Sequence, residues 1–106
     1  MAVFEKLRNN LIDVCEEVHR YNAPDNVKAP YVVWNDSGSV DLMADNVHAE
    51  MAREGTIDMF LAEENDALVQ DVCDALNSSV TVWTLNSVQY EMDTGLIHYE
   101  WTFGVM

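Results

Sequence analysis

Two His-x-Glu triplets are the residues of this chain whose types and spacing come closest to a chemical site. They are His48-Ala49-Glu50 and His98-Tyr99-Glu100. In an extended strand, each His would share a face with its Glu. On neighbouring strands, two imidazoles and two carboxylates could surround a metal ion such as zinc or manganese. Alternating charges on a solvated strand produce the same pattern by chance, so the signal is weak, and we expect no metal and no other cofactor.

Other catalytic arrangements have less support in the sequence. Cys15 and Cys73 sit beside Val14 and Val72 in helical patterns, which is typical of buried free thiols rather than nucleophiles. With 19 carboxylates in the chain, acid pairs can be nominated anywhere. There is no G-x-G-x-x-G, P-loop or G-x-S-x-G motif. We therefore expect a protein without enzymatic activity.

The charge is the strongest signal in the composition. The chain has 19 acidic and 5 basic residues, a net charge of −14, and no Lys or Arg follows Arg53. Nucleic-acid binding needs clustered cations, so specific binding of DNA or RNA is not expected. No apolar run approaches the ~20 residues of a membrane span, and residues 1–10 lack the apolar stretch of a secretory signal. We expect neither membrane insertion nor export.

The pattern of apolar residues predicts one α+β domain over residues 1–106. Helices are predicted over Ala2–Tyr21 and residues 63–77, and a strand covered on both sides over Tyr31–Trp34. Val80–Met106 predicts an antiparallel hairpin that turns at Asp93-Thr94-Gly95. One face of this hairpin is predicted to be core, and its first strand carries Val82, Trp83, Leu85, Val88 and Tyr90. The expected fold is an about four-stranded, mainly antiparallel sheet with two helices packed on one face.

The longest extended segment is Val47–Leu61. Fifteen strand residues would span ~50 Å at about 3.4 Å each. A compact domain of this length is only about 35 Å across. Two alternatives follow: the strand bends near Gly55, or its first half, Val47–Glu54, is an arm that pairs with a neighbouring subunit.

The segment before this strand offers a second candidate contact. Asn35–Ser39 is predicted to end the preceding strand, which leaves Val40–Asn46 as a loop that exposes Leu42 and Met43. Apolar residues in a loop indicate either local packing or a docking site, and the sequence does not separate these two interpretations.

Three segments resemble a known family: Gly55-Thr56-Ile57-Asp58-Met59-Phe60, Leu85-Asn86-Ser87-Val88-Gln89-Tyr90 and Thr94-Gly95-Leu96-Ile97-His98-Tyr99-Glu100-Trp101. The family consists of small proteins encoded in the head–tail joining region of long-tailed phages and Gram-positive prophages, called tail completion, tail terminator or minor tail proteins. The resemblance runs from about Tyr31 to Trp101, roughly two-thirds of the chain.

The resemblance implies a non-enzymatic ring, typically a hexamer, that caps the tail tube and offers a surface to the head connector. The implied partners are further copies of the chain, the major tail tube protein and head connector or stopper proteins. The implied location is the tail or neck of the virion, after assembly in the bacterial host cytoplasm. The residues predicted to make contacts are Leu42, Met43, His48, Glu50, Arg53, Asn86, Tyr90 and His98. For Arg53 we expect an ion pair with an acid of a neighbouring subunit.

Two alternatives from other functional classes remain. The acid excess also suits a decoy that mimics DNA and blocks a host DNA-binding protein, whereas in a ring it would let DNA pass without gripping its phosphates. The second alternative is a small metal-dependent enzyme that uses His48, Glu50, His98 and Glu100.

Overall fold

The computed structural model describes residues 2–41 and 51–105, and its fold is α+β. The elements in chain order are α1 (Ala2–Val14), β1 (Val18–Arg20), β2 (Tyr31–Asp41), β3 (Met51–Leu61), α2 (Asp66–Ser79), β4 (Val82–Glu91) and β5 (Leu96–Val105). The five strands form one sheet in the order β1-β2-β3-β5-β4. Strand β1 runs parallel to β2, and every other pair is antiparallel. The predicted α+β class is confirmed, but the sheet is mixed and has five strands rather than about four.

The additional strand replaces the predicted end of the first helix. Helix α1 stops at Val14 instead of Tyr21, and Val18–Arg20 pairs with Val32–Trp34. Val18 and Tyr21 fit the helical spacing, so the sequence pattern predicted a continuous helix. Pairing with β2 gives the backbone of β1 a hydrogen-bonded alternative, and such tertiary contacts override a local pattern. Tyr21, with φ of 75°, then turns the chain away from the sheet.

Strand β2 is longer than the sequence predicted and is paired with β3 from Tyr31 to Asp41. It does not end at Asn35, because pairing with β3 continues past a bulge at Ser37. Met51–Leu61 is paired within one protomer, so this part of the predicted strand is not a free arm. Residues 47–50 lie outside the described residues.

Gly55 is required by close packing rather than by a bend of its own strand. A Cβ atom there would lie 2.2 Å from the carbonyl oxygen of Asn35 and 2.5 Å from the ring of Phe103. The bulge lies in the partner strand, directly after Asp36, which pairs with Gly55. The sequence predicted a possible bend of the strand Val47–Leu61 near Gly55, but the irregularity lies in the partner strand β2.

The second helix and the terminal hairpin agree closely with the sequence. Helix α2 begins three residues later than predicted, at Asp66, because the side chain of Asn65 caps it by accepting a hydrogen bond from the Leu68 amide. The β4–β5 turn places Gly95 at φ of 73°, the left-handed conformation expected of it. Alternate residues of β5 are buried, including Trp101 and Phe103.

The core lies between one face of the sheet and both helices, as predicted. The ring of Phe4 in α1 lies 6.0 Å from that of Trp34 and 5.9 Å from that of Phe103. Helix α2 contributes Val72 and Leu76 to the same cluster. The opposite face of the sheet carries no helix of the described chain, so it and the two sheet edges are where a functional surface can lie.

Candidate functional site

Strand β4 is one edge of the sheet, and its apolar side chains lie on the helix-covered face. Trp83, Leu85, Val88 and Tyr90 stand opposite the inward-facing residues of β5. Helix α2 reaches only the first of them: Trp83 is half-buried, and its indole N–H donates to Asn77 Oδ1 over 2.8 Å. The other side chains of this row are exposed.

The three uncovered side chains form what we call the apolar strip: Leu85, Val88 and Tyr90. They are 41%, 50% and 65% exposed. The sequence predicted all three on the core face of the hairpin, and Tyr90 also as a contact residue. The core assignment is wrong because β4 lies at the sheet edge, where these side chains are exposed. Nothing in the sequence pattern distinguishes a core row from an exposed row when the strand order is unknown.

The backbone of β4 has little of the usual protection of a sheet edge. Natural edges are kept from pairing by short length, Lys, Pro or bulges. Strand β4 has ten residues without Lys, Arg or Pro, and the bulge at Asn86 is the one protective feature of this kind that it has. A long edge strand with exposed apolar side chains is typical of a surface that another protein covers.

Two of the residues predicted to make contacts lie on this edge strand, on different faces. Tyr90 belongs to the apolar strip. Asn86, at the bulge, donates a hydrogen bond from its side-chain amide to the hydroxyl of Thr102 on the helix-free face. Both are exposed. Their role in contacts stays a prediction.

His98 lies at the centre of a polar cluster on the helix-free face. Its Nε2 atom is 2.7 Å from Asp58 Oδ1, and its Nδ1 atom is 3.0 Å from Glu91 Oε2. The imidazole stacks on the ring of Phe60 at 4.3 Å, and Phe60 stacks on Tyr31 at 4.6 Å. This row of rings crosses three strands and fixes the orientation of His98. Burial, and then the nearby carboxylate of Glu91, raise the pKa of the Tyr31 hydroxyl.

The geometry of this cluster suits a structural contact more than metal binding. Asp58 and Glu91 approach opposite nitrogens of the His98 ring, so the three side chains do not converge on one point. Both contacts are hydrogen bonds only when both ring nitrogens carry protons. Among residues 2–41 and 51–105, no group of three or more His, Cys, Asp or Glu side chains is arranged to hold a metal ion. Glu100 lies on the same face, opposite Asp58.

Arg53 lies at the other end of β3, away from this cluster. Its guanidinium is 3.7 Å from Asp36 Oδ2 and lies 5.2 Å from the centre of the Phe4 ring. The ion pair in the structure is thus within the protomer, and the predicted pair with a neighbouring subunit stays a prediction. Four of the other predicted contacts, Leu42, Met43, His48 and Glu50, lie outside the described residues, as does half of the proposed metal-dependent site.

Comparisons with known proteins do not show which family the chain belongs to. No family model matches the chain, and none of the curated proteins does. In the part of the chain that the structure describes, no helix is both long and apolar enough to cross a membrane. The surface that the geometry singles out is therefore the edge strand β4 with its apolar strip.

Proposed function

We propose that this protein is a structural component of the phage head–tail joining region, whose copies form a ring that terminates the tail tube and docks to the head connector. The apolar strip on the long edge strand β4 carries the proposal. The hexamer, the tail tube protein and the connector or stopper proteins as partners come from the resemblance of the three sequence segments.

The apolar strip supports self-assembly because water contact with its side chains is unfavourable. Burying apolar surface contributes about 25 cal/mol per Å². Leu85, Val88 and Tyr90 lie next to one another along one face of one strand, so a single partner surface can cover all three. A ring provides such a partner for every copy at once.

The same structure gives less support to an acidic decoy. A DNA mimic needs carboxylates that are free to replace phosphates in a cationic binding site. Asp58 and Glu91 are engaged by His98, and Asp36 by Arg20, but other acids such as Glu64 are exposed, so charge alone does not separate the decoy from the ring. The exposed apolar strip does separate them, because a decoy gives it no role. We therefore favour the ring.

Two valines of β4 provide a matched test. Val88 belongs to the apolar strip, whereas Val82, which is 59% exposed, lies on the other face of the same strand, opposite Gly104. We expect Val88→Ser to raise the dissociation constant of the ring about tenfold. The substitution replaces two methyl groups, which a neighbouring copy would bury, with a hydroxyl. Val82→Ser should assemble like the wild type. Both should melt at similar temperatures, since both side chains are exposed.

The measurement is native mass spectrometry and sedimentation velocity over a concentration series, with and without purified tail tubes. Ring-sized species for the wild type and for Val82→Ser, and a shift toward monomers for Val88→Ser, would support the proposal. A wild-type protein that stays monomeric under all these conditions would rule it out. A monomer that instead competes with DNA for a binding protein would support the decoy.

A further inference from the structure

All three arginines of this acidic chain converge on one pocket. Arg8, Arg20 and Arg53 line a depression of about 410 Å³ together with the rings of Phe4 and Trp34. Val18 and one acid, Glu5, complete its wall. Three of the five basic residues of the protein are thus concentrated at one place, between the start of α1 and strands β1 to β3.

Two of the arginines are held in position by the protein itself. The guanidinium of Arg20 lies 4.7 Å from the centre of the Trp34 ring and donates to Asp36 Oδ1 over 2.7 Å. Arg53 lies over Phe4 and contacts the other oxygen of Asp36. Hydrogen bonding from Arg20 holds the pKa of Asp36 below its usual range. Fixed guanidinium groups lose little conformational entropy when they bind an additional carboxylate.

Arg8 differs because it projects from an exposed position on α1. Its guanidinium donates a hydrogen bond to the side-chain oxygen of its neighbour Asn9 over 3.2 Å. The pocket thus combines two preorganised cations with one at the solvent boundary. Guanidinium groups of this kind bind carboxylates in planar, two-pronged geometry.

We infer that this pocket accepts carboxylates from a neighbouring copy of the same chain. The inference rests on the proposed ring and names the contact that closes it. Each copy carries a net charge of −14, so two copies repel unless opposite charges meet at their interface. The arginine pocket is the place in the described chain where basic side chains are concentrated.

The position of the pocket determines which surface of the neighbour it meets. Arg20 lies in the edge strand β1, whereas the apolar strip lies in β4 at the opposite edge. The two surfaces also lie at opposite ends of the strands, because Arg53 pairs with Val105 while Tyr90 pairs with Ile97. A two-fold dimer requires both surfaces on one side of the molecule. Surfaces on opposite sides instead form head-to-tail contacts, which generate a ring where the rotation between successive copies closes.

The acids beside the apolar strip supply the matching charge. Glu64 and Asp66 lie between β3 and the start of α2 and are exposed. Both acids follow the end of β3 at Leu61, which pairs with Ile97, and Ile97 pairs on its other side with Tyr90 of the strip. Their carboxylates also add to the effect of burial in raising the pKa of the Tyr99 hydroxyl. Tyr99 is the cross-strand partner of Val88 in the strip. The neighbour therefore presents apolar side chains with carboxylates next to them.

Charge reversal at Arg8 tests the contact against a matched control. Arg8 and Lys6 are both exposed on α1, but Lys6 does not line the pocket. Arg8→Glu and Lys6→Glu change the net charge equally. We expect Arg8→Glu to raise the dissociation constant of the ring about tenfold, and Lys6→Glu to change it less than about twofold. Sedimentation equilibrium measures both, and circular dichroism verifies that both variants fold.

A second pair of variants tests the acidic side. Arg8→Glu combined with Glu64→Arg restores opposite charges at the junction and should assemble nearly as well as the wild type. Lys6→Glu combined with Glu64→Arg has the same net charge but leaves like charges at the junction, so it should stay weakened. Equal assembly of the two double variants, or of Arg8→Glu and Lys6→Glu, would overturn the pocket contact and leave the ring proposal standing. A wild type that never assembles would overturn both.

Discussion

The two edges of the sheet differ in length, charge and cover. At one edge, β1 has three residues, and its Arg20 is paired with Asp36 and stacked on Trp34. At the other edge, β4 has ten residues, carries no basic side chain and exposes the apolar strip. The first edge is short and ends in a fixed cation, whereas the second is long and, apart from the bulge at Asn86, lacks the features that usually keep edges apart.

This difference indicates what each edge meets. A short strand with a charged end offers little backbone for pairing, but it positions charge. A long strand with uncovered apolar side chains offers area for burial but no specificity of charge. In the proposed ring the two edges complement each other: one supplies the cations that select the neighbour, and the other supplies the surface that is removed from water.

Two glycines on adjacent strands test how tightly the sheet is packed at its centre, in β3, and toward the β4 edge, in β5. Gly55→Ala would push a methyl group into the backbone of Asn35 and the ring of Phe103. We expect it to lower the free energy of unfolding by about 3 kcal/mol or more, because neither neighbour can move without disturbing the core. Urea unfolding followed by tryptophan fluorescence measures this loss.

The control is Gly104→Ala, which lies toward the β4 edge. There the added methyl group would meet Cγ1 of Val82 at 3.2 Å, and Val82 is exposed and can shift. We expect a change in the free energy of unfolding of about 1 kcal/mol or less. Similar losses for the two variants would show that the sheet is as tightly packed toward the β4 edge as at its centre, and the looser packing expected at that edge would be contradicted.

Much of the fold was predictable because its signals are local. The alternation along β5 and the requirement for Gly95 in the turn were read directly from residue types. Strand β1 was not predictable, because Val18 continues the helical spacing of α1. Residues Val18–Arg20 form a strand only because they pair with β2. The continuation of β2 through turn-forming residues was missed for the same reason: β3 supplies the hydrogen bonds that stabilise it.

The candidate site was less predictable than the fold. Tyr90 was identified as a contact residue, but Leu85 and Val88 were assigned to the core, because their exposure depends on the strand order that places β4 at the sheet edge. The arginine pocket brings together residues 8, 20 and 53, which are far apart in the sequence. Only strand order and helix placement bring such residues together, and neither follows from periodicity.

The two halves of β4 provide a second test of the contrast, with a smaller expected effect. Trp83 packs against the core and α2, so Trp83→Ala should lower the free energy of unfolding by about 2 kcal/mol, somewhat less than for a fully buried aromatic residue. Tyr90→Ala should lower it by less than about 0.5 kcal/mol, because the ring is largely exposed. Thermal melts of dilute protein measure both. If Tyr90→Ala were as destabilising as Trp83→Ala, the apolar strip would be part of the monomer's own core.

The smallest expected effect on stability concerns the ion pair between Arg20, at the β1 edge, and Asp36. Because the pKa of Asp36 is lowered in the folded protein, mainly by the hydrogen bond from Arg20, the unfolded chain binds this proton at higher pH than the folded chain does. The contribution of Asp36 to stability is therefore present above about pH 4, the ordinary pKa of an aspartate, and is lost as the pH falls through the lowered value.

Arg20→Gln should remove most of this contribution, although Arg53 stays near Asp36. At pH 6 we expect the variant to be less stable than the wild type by about 1 kcal/mol, since the pair is partly exposed. At pH 3 the difference should shrink, because the wild type is losing the same interaction. Lys28→Gln, at an exposed loop position, removes an equal charge and should follow the wild type at both pH values. A deficit of Arg20→Gln that is unchanged between pH 6 and pH 3 in urea unfolding would show that Arg20 stabilises this edge by stacking on Trp34 rather than through Asp36.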